Sequence, residues 1–189
     1  VAQPLYPFRQ VIDEHENLSG YFIGSCFFRR KKVEAATFSM DQCSVTFSPN
    51  GGTTQALVAY IGTAKTSIRL LAYNFTSTEV ANALVLAHRR GVDVQLVLDK
   101  SVPTERNSVL PIIQRDDIPF RIDHAHAIAH NKVIIIDGAW VETGSFNYSD
   151  NAEHHNGENA LICHSPDAYK LYRTDWEKHW LHSLVLTNH

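Results

Sequence analysis

The 189-residue sequence predicts an α/β fold, a mixed and largely parallel sheet with helices on both faces. Two observations carry this. Between residues 51 and 123, strand-length apolar runs alternate with segments of helical period, as in parallel strands joined by crossover helices. From 132 onward, two strand-like runs meet at Asp137 and Gly138, a tight-hairpin signal that adds an antiparallel pair. With 44% hydrophobic residues the chain can bury one core. One domain is therefore expected over residues 42–189, preceded by an extension of unassigned role over residues 1–41, where no period is clear.

The elements follow in order. "GGTTQALVAYIGTAK" (51–65) has apolar residues at helical spacing and Thr53 or Thr54 as a candidate N-cap. "SIRLLAY" (67–73) reads as a buried strand. "STEVANALVLAHRRG" (77–91) reads as a helix capped by Ser77, with positive charge in its last turn and Gly91 as its stop. "VDVQLVLD" (92–99) is a strand, 104–116 a helix and "IPFRID" (118–123) a short strand. After the hairpin, "ENALICH" (158–164) is a further strand. "SPDAYKLYRTDWEKHWLHSL" (165–184) is the closing helix, capped by Ser165 with Pro166 in its first turn. No internal repeat is evident.

A formal charge of −3 and a pI near 6.4 exclude a globally basic nucleic-acid binder, so any polyanion site is local. The basic runs Arg29–Lys32 and His88–Arg90 read first as solvated surface. Cys26, Cys43 and Cys163 lack metal-ligand spacing; one pair can form a disulfide, and the sequence does not say which. No apolar run approaches the roughly 18 to 20 residues of a membrane span, so no stable membrane insertion is expected. The chain begins at Val1 and its only methionine is Met40, which suggests that an N-terminal segment has been removed.

The chemistry concentrates in "HAHAIAHNKVIIID" (124–137). Side chains two apart on a strand share a face, about 6.6 Å apart, so His130 and Lys132 point the same way. An ammonium beside an imidazole lowers the imidazole pKa and favours the neutral, nucleophilic form, leaving the lysine to hold an anion. Asp137 has the opposite parity and sits at the turn, which suits a structural role. Downstream, "TGSFNYS" offers Ser145 and Asn147, again two apart, after Gly144, which permits an unusual backbone. Glu158 heads the next strand, where a carboxylate can fix the tautomer of an imidazole.

"HNKVIIIDG", "VETGSFNYS" and "NGENA", together with "AKTSIRLLAYNFTS" and "RRGVDVQLVLD", resemble the phospholipase D superfamily over residues 43–182. Within it they look most like the small bacterial Nuc-type endonucleases that resist EDTA. The resemblance implies a phospholipase D-like fold and a metal-independent phosphodiesterase cleaving DNA, with RNA as a further candidate. It implies His130 as the nucleophile that becomes a phosphohistidine, and Lys132 and Asn147 on the nonbridging oxygens. Ser145 would support the pocket and Glu158 would orient His130. In-line displacement needs an acid opposite the nucleophile, and no other histidine here is followed by x-Lys. A twofold homodimer sharing one site is therefore expected. A periplasmic or secreted location is suggested in the same way.

His124, His126 and His130 share strand parity and offer imidazoles to zinc, but no convincing fourth ligand accompanies them, so neither metal nor cofactor is expected. His124 and His126 read instead as the rim of the groove, with Phe75 a further candidate for its lining. Ser145 and Asn147 also fit a plain turn role, and Glu158 that of a strand-edge carboxylate. His154 and His155 read as loop residues near the cleft, and Trp140, Trp176 and Trp180 as packing residues. Two other functions remain open at this point: a phospholipase or cardiolipin hydrolase of the same superfamily, and a catalytically silent nucleic-acid-binding module.

Overall fold

The computed structural model describes residues 42–186; the 1–41 extension, with Cys26 and the Arg29–Lys32 run, lies outside the described residues. Strand β1 (Cys43–Ser48) leads to α1 (Thr53–Gly62), β2 (Ser67–Ala72), α2 (Thr78–Arg89) and β3 (Asp93–Asp99). Helix α3 (Leu110–Arg115), β4 (Phe120–Asp123), β5 (Lys132–Ile136) and β6 (Trp140–Gly144) follow. The chain then forms α4 (Asp150–His154), β7 (Glu158–His164) and α5 (Pro166–His182). The helix expected over 104–116 is shorter because Pro111 lacks an N–H and has to lie in the first turn, so α3 starts at Leu110.

The seven strands form one sheet in the order β1-β7-β6-β5-β2-β3-β4. Only β2/β3 and β3/β4 are parallel, while β1/β7, β7/β6, β6/β5 and β5/β2 are antiparallel. The α/β class and the two helical layers hold, but the expectation of a largely parallel sheet does not. Crossover helices serve only β2 to β4. After β4 the chain returns through 124–131 into the middle of the sheet against β2; a tight turn then leads to β6, and residues 145–157, with α4, lead to β7.

Strand parity divides the core. Ile134 and Ile136 of β5 pack with Leu70, Leu96, Leu57 and Leu84 beneath α1 and α2. Val133 and Ile135 face the other way, onto Leu71, Val97 and Trp176 of α5. Trp176 is buried, donates Nε1–H to the Leu70 carbonyl at 3.1 Å and stacks on Trp180, as a packing residue should. No described helix is long and apolar enough to cross a membrane.

Local chemistry fixes the ends. Ser77 and Ser165 accept from Val80 N and Ala168 N, and Gly91 takes φ +90°, as the sequence predicts. Helix α1 differs: neither Thr53 nor Thr54 caps it. Gly52 is the N-cap residue, and buried Glu153 of α4 accepts from Gly52 N at 3.0 Å and Thr54 N at 2.7 Å, a carboxylate at the positive end of the helix. The His88–Arg90 run completes the end of α2: Arg89 pairs with Asp116, and Arg90 reaches the Gly62 and Ala64 carbonyls. Cys43 and Cys163 lie opposite one another on β1 and β7 and form a disulfide.

Asp137 and Gly138 both have positive φ, the conformation of a two-residue hairpin turn. The Asp137 carboxylate accepts from Lys65 N, Thr66 N, Ser67 N and the Thr66 hydroxyl at 2.8–2.9 Å, tying the β5/β6 turn to the start of β2. Partial burial would raise its pKa, but the backbone donors of Ser67, Thr66 and Lys65 outweigh this and lower it. Asp137→Ala is expected to cost about 1.5–3 kcal/mol in denaturant unfolding at neutral pH. Because the folded pKa is depressed, that difference should shrink as pH falls through it.

Buried Glu142 of β6 presents the opposite case. Tyr148 Oη donates to its Oε2 at 2.9 Å, Oε1 is buried with no partner among the described residues, and burial pushes the carboxyl up to about 8. A raised acid pKa makes the fold lose stability as pH climbs from the usual carboxylate range toward 8. Glu142→Gln should flatten melting temperature against pH over that window and match or exceed the wild type at pH 8; an unchanged slope would count against a neutral Glu142.

Candidate active site

Antiparallel pairing brings the start of β5, the end of β6, the start of β7 and the end of β2 to one edge of the sheet. Ala72 pairs with Lys132, Val133 with Thr143, and Gly144 with Ala160. Lys132 has the parity of Ile134 and Ile136, and Glu158 that of Ala160 and Ile162, so both side chains belong to the α1/α2 face.

Lys132 is buried, with 5% of its surface exposed. Its Nζ donates to the His130 carbonyl at 2.7 Å and lies 5.1 Å from the centre of the Tyr73 ring. Burial lowers its pKa, and the negative charge of Glu158 acts in the opposite direction. His130 is exposed and precedes β5 rather than lying in it, so the shared strand face expected for His130 and Lys132 is not how they meet. Tyr73 joins them instead: its ring lies 4.6 Å from the imidazole, centre to centre. Tyr73 N also donates to the Asn131 carbonyl at 3.1 Å, which fixes the turn into β5.

Ser145 and Asn147 follow β6 rather than extend it. Ser145 Oγ donates to Asn159 Oδ1 at 3.3 Å and accepts from Asn159 N at 3.2 Å, so its hydroxyl fastens the two strand ends together. Asn147 makes no side-chain hydrogen bond with the described residues, and its Oδ1 is buried without a partner. Its amide is thus uncommitted. Glu158 accepts from Asn156 Nδ2 at 3.1 Å, and its charge is felt by Lys132; the expected contact with His130 is not formed within the described chain. Gly144 is needed for a different reason than expected. Its φ is not positive, but a Cβ there would come 2.1 Å from the Asn159 carbonyl oxygen. The strands can approach this closely only without a side chain.

The groove assignments change most. Phe75 does not line a groove: it is fully buried and packs edge-on against Tyr148, whose carbonyl accepts from Thr76 N and Ser77 N. This holds the Ser145–Tyr148 turn against the core. His124 is exposed. His126 is not a free rim residue, because its Nδ1 contacts Asp123 Oδ2, which also meets His179 and His182 of α5. His154 ends α4 and contacts Asn50, and His155 is its C-cap. Sequence reasoning missed Tyr73, Asn159 and Asp123. The i, i+3 pair His179 and His182 in "HWLH" was the signal available for the last cluster.

Comparisons with known proteins bear on the family of the chain. Residues 57–180 match the family described as cardiolipin synthase, PLD-like domain. A phospholipase D of Rickettsia bellii is 36% identical over 146 residues, 77% of this chain and 73% of that protein. A mitochondrial cardiolipin hydrolase of Xenopus tropicalis is 28% identical over 148 residues, 78% and 70% of the two chains. The crystal structure of Nuc from Salmonella typhimurium, a phospholipase D family member, superposes with a TM-score of 0.73 at 38% identity, covering 77% of this chain and 98% of that one. The match spans the strands that deliver His130, Lys132, Asn147 and Glu158, and the chain belongs to the phospholipase D superfamily of phosphodiesterases.

Proposed function

We propose that this chain is a metal-independent endonuclease that cleaves DNA, and RNA as a second substrate, through a phosphohistidine at His130. The observation that carries the reading is the convergence of an exposed imidazole, a buried ammonium and an uncommitted amide at one sheet edge. The 38% identity with Nuc over nearly all of that protein supports a nucleic-acid substrate. In the first step a ring nitrogen of His130 forms a bond to phosphorus as the bond to the leaving oxygen breaks, while Lys132 and Asn147 balance charge on the nonbridging oxygens. The leaving oxygen takes a proton from an imidazolium on the opposite side. Water then attacks phosphorus, that now-neutral imidazole takes the water's proton, and the P–N bond breaks.

A second imidazole in that position is supplied by the partner subunit's His130, so the functional unit is a twofold homodimer with one shared site. Local rather than global positive charge fits a chain of net charge −3 and predicts modest affinity for duplex. Lipid hydrolysis is the second reading. It is favoured by the cardiolipin hydrolase relative and by Ile128, a large apolar side chain that is 55% exposed two residues before His130.

Plasmid, single-stranded DNA, RNA and cardiolipin vesicles assayed side by side separate these readings: nucleic acid should be cut and cardiolipin left intact. Cleavage should persist in excess EDTA, and loss of activity that only added Mg²⁺ restores would contradict the mechanism. His130→Ala should lower turnover at least about 100-fold with the melting temperature unchanged. In dimers carrying one wild-type and one His130→Ala chain, activity should fall to the variant's level; half the wild-type rate would mean that each chain works alone.

A further inference from the structure

We propose that Asp123, His126, His179 and His182 bind one transition-metal cation of the zinc type, a site separate from the phosphodiester chemistry and independent of the reading given above. Three segments of the chain converge there. Asp123 ends β4, His126 lies in the segment running from β4 to His130, and His179 and His182 share one face of α5. Asp123 Oδ2 meets His126 Nδ1 at 2.9 Å, His179 Nδ1 at 2.8 Å and His182 Nε2 at 3.0 Å. One donor atom from each of the four residues falls within 4.8 Å of the others.

Hydrogen bonding alone serves this arrangement poorly. Asp123 is fully buried, and its Oδ1 already accepts from Ala125 N and His126 N, which fixes the carboxylate and leaves three imidazole nitrogens crowding one oxygen. A cation among the four would use the imidazole lone pairs directly and neutralise the buried carboxylate. Neither nearby basic side chain fills that role. Lys100 donates to the His126 carbonyl, and Arg121 donates to the Trp180 carbonyl with its guanidinium over the Trp180 ring.

The surroundings suit a metal site in two further ways. His179 turns its other nitrogen toward Asp175 Oδ2 at 3.7 Å, the outer carboxylate that commonly backs a metal-bound histidine. The His126 and His182 side chains are 47% and 33% exposed, so an ion can enter from solvent. Three imidazoles and one carboxylate suit Zn²⁺ or Co²⁺ and not Mg²⁺ or Ca²⁺, which prefer all-oxygen shells. None of the four residues belongs to the proposed catalytic set. Bound metal would cross-link β4 to α5 and pin the 124–131 segment at His126, four residues before His130. The Ala129 N–H, bonded to Asp99 Oδ2 at 2.7 Å, holds its other end.

The full chain, stripped with chelator and dialysed against Zn²⁺, should bind one equivalent at this site, with Mg²⁺ unable to compete. Saturating Zn²⁺ at about a hundredfold excess over Kd should raise the melting temperature by about 5–10 °C. His126→Ala and His182→Gln change exposed side chains, and each should weaken binding at least about tenfold with the circular dichroism unchanged. Co²⁺ on the wild-type chain should give the intense visible spectrum of a four-coordinate site, and Asp123→Asn should abolish it. Undiminished Zn²⁺ affinity in both histidine variants, a six-coordinate Co²⁺ spectrum, or no Zn²⁺ bound in preference to Mg²⁺ would each overturn the proposal.

Discussion

Strand β5 is buried at all five positions and paired on both sides, to β2 and to β6, in the middle of a seven-stranded sheet. A slip of one residue would turn Ile134 and Ile136 out of one apolar layer and Val133 and Ile135 out of the other, so the register is held from both faces. Asp137 locks it at one end by collecting the N–H groups of Lys65, Thr66 and Ser67. The same register decides where Lys132 emerges at the other end. That a buried ammonium is tolerated there follows from its surroundings: a carbonyl, an aromatic face and the field of Glu158 replace part of the water it gives up.

The other site residues arrive by the same antiparallel logic. Gly144 lets β6 and β7 close to a distance no side chain would allow, and Ser145 and Asn159 then stitch the two strand ends together. Tyr148 anchors the intervening turn through its hydroxyl on Glu142 and its carbonyl on Thr76 and Ser77, with Asn147 held just before it. The buried carboxyl of Glu142, opposite Ile134 in the middle of the β5/β6 pair, and the buried ammonium of Lys132 at the start of β5 are thus shifted by the same physical cause, desolvation.

Local chemistry was legible in the sequence and long-range direction was not. Ser77, Gly91, Ser165, Pro166 and the Asp137-Gly138 turn act within a few residues of themselves, and each does what its residue type dictates. Periodicity, however, does not encode whether a buried strand runs with or against its neighbour, so the run "KVIIID" gave no sign that β5 would insert antiparallel beside β2. Phe75 looked like a groove residue because it follows a strand end, yet Tyr148, 73 positions later, buries it. Strand parity groups His126 with His124 and His130, whereas its partners come from β4 and from a helix more than 50 residues downstream. His124 and His130 take no part in that cluster, which joins His126 to Asp123, His179 and His182.

The proposed chemistry requires His130 to be the group that takes phosphorus. The most direct measurement is rapid quench of the wild-type chain with a nucleic-acid substrate labelled at the scissile phosphate, followed by peptide mapping under alkaline conditions that preserve phosphoramidates. The expected result is an acid-labile adduct on the peptide containing His130, formed and discharged at the rate of turnover. Steady cleavage with no adduct, or an adduct on a different residue, would contradict it.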